Sequence, residues 1–327
     1  PRRRLHPAWA TLAIPVRHGY ILARPVCVAG MARQEAEARM CVTRSGSLEG
    51  LTRRRRTINR IDRKFQELAA AGRKGLLPYI TAGFPTPSAT TEILCRLDAM
   101  GVAGVEVGFP YSDSIADGPV IQTSFTRALE RGLRVNDIFR AIEAARSRVH
   151  LPLVAMVSFS IVNRIGTETF CRRAAAAGFD GLIIADLSFE EAPTVADTAA
   201  RSDLRLILLT GPTSTPQRRE QIARISTGFV YYMSVAGTTG ERDRLPADLI
   251  ENVRELRRVG GKPVVVGFGI SRPEHVRSVC SVADGAIVGS AIVRRMLDAA
   301  DGPNRGDESA VADAVEAFVR ELMTGLP

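Results

Sequence analysis

No apolar run in this 327-residue chain approaches the roughly 18 to 20 residues needed to span a bilayer, so no segment reads as a transmembrane helix. Cysteine is sparse. Cys27, Cys41, Cys95, Cys171 and Cys280 are scattered without a C-x-x-C pair, and the only histidines are His6, His18, His150 and His275. Such spacing assembles no metal-ligand cluster, and an odd, low cysteine count fits a reducing compartment in which Cys95, Cys171 and Cys280 serve as small apolar core residues. Lysine is missing from the first 57 residues, and acid is nearly so: twelve arginines stand there against Glu35, Glu37 and Glu49. That imbalance accounts for the whole formal charge of +9 and leaves the remainder of the chain neutral. The body therefore carries no basic face, and a nucleic-acid-binding role for it has no electrostatic support.

The arginine-rich segment 1–57 has three readings. It is an organelle transit peptide, an arm for nucleic acid or a membrane surface, or upstream sequence outside the working protein, with Met31 or Met40 as starts. In each case its few periodic apolar positions predict poor order.

From residue 58 the pattern changes. Short, β-branched apolar runs at 76–81, 104–108, 153–157, 181–185, 205–209, 229–233, 263–267 and 285–288 alternate with stretches of helical periodicity such as Ile138, Ile142 and Ala145. Continuous apolar strands separated by amphipathic helices predict parallel strands covered by helices, and eight such units close into an α/β (β/α)8 TIM barrel over 58–327. Extra helices are expected at 60–71 and 310–323. An open doubly wound sheet is the alternative, but its glycine fingerprint is missing where the first strand runs into Thr81-Ala82-Gly83-Phe84-Pro85.

Barrel enzymes carry their chemistry at the carboxyl ends of the strands. There the chain sets Glu106 and Asp117 on either side of a loop within thirteen residues, Glu106-Val-Gly-Phe-Pro-Tyr-Ser-Asp-Ser-Ile-Ala-Asp117-Gly118, with Asp113 between them. A buried acid at a strand end with a second acid on the following loop suits proton transfer. Bland readings stand beside it: Glu106 as an ion-pair partner, Asp113 and Asp117 as turn residues. Glycine-bearing loops follow the sixth, seventh and eighth strands, at Gly237–Gly240, Gly267–Ser271 and Gly289-Ser290. One such glycine is usually only a turn; three in adjacent loops, with a helix starting near Ser290, point to a bound phosphate. Tyr79, Tyr231 and Phe268 are either core aromatics or the walls of a flat apolar pocket.

These residues resemble the α subunit of tryptophan synthase. The resemblance runs collinearly from residue 58 to about 323 through 59–65, 77–83, 106–113, 116–122, 212–216, 234–240 and 266–271. It implies retro-aldol cleavage of indole-3-glycerol phosphate to indole and glyceraldehyde 3-phosphate, without a metal or organic cofactor, in the cytoplasm. Glu106 would be the general acid/base and Asp117 the partner of the indole N–H. Gly240, Gly269, Gly289 and Ser290 would hold the phosphate. Tyr79, Ala155, Ile183, Ala185, Leu209, Tyr231, Thr239 and Phe268 would surround the indole and glycerol, with Thr239 on a loop that closes over Asp117. The partner implied is a pyridoxal-phosphate-bearing β subunit. Departures from the family pattern at Tyr111, Ser114, Ser160 and Ser188 fall in loops that meet this partner in the family. A stand-alone indole-releasing lyase and a non-catalytic activating subunit are the alternatives.

Overall fold

The computed structural model describes residues 58–115, 117–233, 247–267, 269–303 and 307–327. The arginine-rich segment and its boundary at 57 lie outside them.

The chain enters through α1 (Arg60–Ala70). Asn59 caps this helix by accepting the Ile61 N–H at 2.9 Å, and its amide donates to the carbonyls of Asp180 at 3.0 Å and Asp203 at 2.8 Å. Ile61, Phe65 and Leu68, spaced to share one helix face, are buried. They join Leu77, Val154, Ile183, Ile207, Phe229, Tyr231, Val265 and Ile287 in a single cluster. Since these partners come from successive strands, α1 closes the amino-terminal end of the barrel interior.

The sheet is parallel throughout. It comprises β1 (Gly75–Thr81), β2 (Val105–Gly108), β3 (Leu153–Val157), β4 (Gly181–Ile184), β5 (Arg205–Ile207), β6 (Leu209–Thr210), β7 (Val230–Met233), β8 (Val264–Gly267) and β9 (Gly285–Val288), in the order β5-β4-β3-β2-β1-β9-β8-β7-β6. Eight strands were expected and nine segments are found, because the fifth run is divided at Leu208. Its first half pairs with β4 and its second with β7. At the break the Leu208 N–H turns to the Ser226 hydroxyl at 3.1 Å, while its carbonyl accepts the Tyr231 N–H at 3.1 Å. The divided run thus occupies one position of eight, and the ring closes through it.

Helices cover the outside. They are α2 (Pro87–Met100), α3 (Pro119–Glu130), α4 (Val135–Arg146), α5 (Phe159–Ile165), α6 (Thr167–Ala177), α7 (Ala192–Arg201), α8 (Pro216–Ile225), α9 (Ala247–Gly260), α10 (Pro273–Cys280), α11 (Ser290–Asp301) and α12 (Glu308–Met323). Proline at the first helical turn of α2, α3, α7, α8 and α10 fixes where each helix starts. Alternate strand residues such as Val105, Val107, Leu153, Ala155 and Val157 pack against this helical layer. The fold is the expected (β/α)8 barrel with the expected extra helices α1 and α12; β2 and β3 are each followed by two helices rather than one, which brings the described helices to twelve.

Candidate active site

Strand alternation decides which side chains meet inside the barrel. Val105 and Val107 face the helices, so Glu106 between them points inward, paired in register with Tyr79 on one side and Val154 on the other. Its side chain is 1% exposed, and Oε1 has no hydrogen-bond partner among the described residues. Burial disfavours the charged form and pushes the carboxyl up to about 8. Near neutral pH Glu106 therefore holds its proton yet releases it readily.

The interior above Glu106 is shaped by two glycines. A Cβ on Gly108 would lie 1.9 Å from the Tyr79 hydroxyl, and one on Gly267 would lie 2.2 Å from the Tyr231 hydroxyl. Their absence lets both phenol groups reach across to the neighbouring strand. Burial, then the charges of Asp117 and Glu106, raises the Tyr79 phenol well above its ordinary value; burial, then Glu106, does the same for Tyr231. Both tyrosines consequently remain neutral beside the acid.

Asp117 lies on the loop between β2 and α3 and is half-buried. Gln122, from the first turns of α3, fixes that loop by donating to the carbonyls of Ser114 at 3.0 Å and Asp117 at 2.8 Å. The Tyr111 hydroxyl donates to Asp117 Oδ2 at 3.2 Å, and its ring packs on Phe125 with centroids 5.6 Å apart. Burial raises the Asp117 carboxyl, the Tyr111 hydrogen bond lowers it, and the charge of Asp186 raises it. Asp186 is itself held by the Ser158 hydroxyl at 2.8 Å and the Phe159 N–H at 2.6 Å. The two carboxyls thus share Tyr79 as a neighbour but sit in different surroundings, one dry and one polar.

The remaining predicted residues fall into four groups. Ile183, Leu209 and Tyr231 belong to or pack against the interior cluster, and Ala185 follows Ile183 by two residues at the open end of β4. Gly269, with φ +77°, occupies a left-handed backbone position that favours glycine, and among the described residues beyond its chain neighbours no heavy atom lies within 4 Å of where its Cβ would be. Gly289 precedes α11, whose start at Ser290 has no side-chain cap, which leaves its first N–H groups available to an anion. Thr239, Gly240 and Phe268 lie outside the described residues. Ala155 is not brought to the site: it pairs with Val107 and packs under the helices. The inward neighbour at that height is Met156, which pairs with Gly108 and packs against the interior cluster. The register of β3 against β2, which sets Val154 beside Glu106, decides this, and an all-apolar run carries no sign of it. Sequence reading also left unassigned the contact of Tyr111 with Asp117, for which residue spacing gave no signal.

Among the described residues no group of three or more His, Cys, Asp or Glu side chains is placed to hold a metal, and no helix is long and apolar enough to cross a membrane.

Fold and site together define a (β/α)8 barrel of the enzyme kind, with its candidate site at the carboxyl ends of its strands. A family model described as the tryptophan synthase alpha chain matches residues 65–324, and the chain belongs to this family. The tryptophan synthase alpha chain of Chloroflexus aurantiacus is 40% identical over 270 residues, covering 82% of this chain and 99% of that one. That of Rhodopirellula baltica is 41% identical over 256 residues, 77% of this chain and 92% of the relative. Among solved structures, tryptophan synthase subunit alpha from Legionella pneumophila matches with a TM-score of 0.73 at 31% identity, covering 82% of this chain and 98% of that chain. Mycobacterium tuberculosis tryptophan synthase gives 0.73 at 33% identity with the same coverage. The chain is accordingly a lyase that cleaves indole-3-glycerol phosphate in tryptophan biosynthesis, and the stand-alone and non-catalytic readings are not favoured.

Proposed function

We propose that Glu106 and Asp117 divide the retro-aldol cleavage of indole-3-glycerol phosphate between them. The observation that carries this reading is the Glu106 carboxyl, 1% exposed and pushed up to about 8 by burial. Protonated Glu106 gives its proton to indole C3, turning the ring into a cation whose charge rests on N1. Asp117, ionised in its more polar loop, accepts the N1–H and steadies that charge. The Glu106 carboxylate then removes the proton of the hydroxyl on the carbon attached to C3. The C–C bond breaks, its electron pair returns to the ring, and indole and glyceraldehyde 3-phosphate leave with Glu106 protonated once more.

Supporting this assignment, Tyr79, Met156, Ile183, Leu209 and Tyr231 line an apolar interior suited to a flat ring. The left-handed turn at Gly269 and the uncapped start of α11 at Gly289 and Ser290 suit a phosphate, a role they would share with Gly240. Thr239 and Phe268 would complete the walls. We further infer a cytoplasmic enzyme that hands indole to a pyridoxal-phosphate-bearing β subunit.

Steady-state indole release by the purified chain tests the reading, with and without a tryptophan synthase β subunit. Glu106→Gln is expected to abolish turnover while substrate still binds, and Asp117→Asn to lose about 3 kcal/mol of transition-state stabilisation. A Glu106→Gln protein near the wild-type rate would remove Glu106 as the proton donor. Faster cleavage with the β subunit is expected; indifference to it would remove the partnership.

A further inference from the structure

We propose that Tyr111 is a positioning residue for the cleavage: its hydroxyl occupies Oδ2 of Asp117, keeping that carboxylate ionised and leaving Oδ1 for the indole N–H. The inference rests on the role given to Asp117 above and adds what makes that role possible. Asp117 is pressed toward its neutral form by burial and by the charge of Asp186 on the loop after β4, and Tyr79 of β1 presents only a neutral phenol. Among the described residues the hydrogen bond from Tyr111, 3.2 Å long, is the influence that favours the ionised form.

Three features separate this from a bond that merely shapes the loop. Gln122 already fixes the loop backbone at Ser114 and Asp117, so its conformation does not depend on the Tyr111 hydroxyl. Packing against Phe125 holds the ring, so the hydroxyl is delivered to Asp117 by a contact made elsewhere. Burial and the adjacent Asp117 and Asp186 carboxylates also push the Tyr111 phenol well above its ordinary range. A phenol so placed stays protonated at every working pH and can act toward Asp117 only as a donor.

The test is the pH profile of kcat/KM for indole-3-glycerol phosphate with the full chain and its Tyr111→Phe variant, which keeps the ring on Phe125 and removes only the hydroxyl. Loss of the donor raises the Asp117 pKa, so less carboxylate is present at a given acid pH. The acid limb should move up by about one pH unit, a tenfold drop in kcat/KM on that limb, while the alkaline limb set by Glu106 stays in place. The loss should appear in kcat more than in KM, because the ring charge that Asp117 steadies develops only during reaction. Superimposable acid limbs, or an equal loss at every pH, would overturn the inference. Asp117→Asn is measured alongside. If it cleaves at the wild-type rate, the role of Asp117 fails and this inference with it; if it is slow while the Tyr111→Phe limb has not moved, only the inference about Tyr111 fails.

Discussion

Burial of the Glu106 carboxyl has a thermodynamic consequence beside its chemical one. An unfolded glutamate titrates near 4.5 and the folded one near 8, so between these values the folded chain holds an extra proton. Stability therefore falls as pH rises through that window, by about 1.4 kcal/mol per pH unit for this group, and levels off above 8. Replacing Glu106 by Gln removes the titration. Denaturant unfolding should show the stability of Glu106→Gln relative to wild type increasing by about 3 kcal/mol between pH 5 and pH 8. A difference independent of pH would mean that Glu106 is not buried as described. Lost activity and a pH-dependent relative gain in stability are thus expected in one variant, since the same buried carboxyl causes both.

Elements place these side chains, and two substitutions probe the placement. Gly108 ends β2 where the Tyr79 hydroxyl crosses to it, and a methyl group there meets ring and hydroxyl within 2.4 Å. Gly108→Ala should displace the buried Tyr79, costing about 1–3 kcal/mol of stability by overpacking and lowering cleavage. Unchanged turnover would show that the ring position does not matter. At the other end of the barrel, Asn59→Ala removes both the cap of α1 and the bonds to the carbonyls of Asp180 and Asp203. A loss of about 2 kcal/mol is expected, measurable as a lower melting temperature with little change in kcat. The elements themselves were largely legible in the sequence, because apolar runs of strand length alternate with helical periodicity. Division of the fifth strand was not: Leu206, Ile207, Leu208 and Leu209 read as one continuous run. What interrupts the ladder is the Ser226 hydroxyl, a contact eighteen residues away in sequence.

At the scale of the whole molecule, the described elements of the barrel run from α1 at Arg60 to α12 at Met323, and all nine strand segments lie between Gly75 and Val288. Removal of residues 1–57 should therefore leave indole release unchanged, and insolubility or inactivity of the shortened chain would overturn the reading of that segment as sequence outside the working protein. Local pattern alone determined the repeating strand–helix order, the acids after the second strand and the glycine loops after the last three, since each depends on residues near one another in the chain. Tertiary structure decided the rest. It turned Ala155 outward and Met156 inward, emptied Gly108 and Gly267 for two tyrosines, and set the Tyr111 hydroxyl on Asp117. It also gave Glu106 and Asp117 unlike surroundings eleven residues apart. Ionisation follows the solvent and charges around a group, and those are supplied by strands and loops that only the closed barrel brings together.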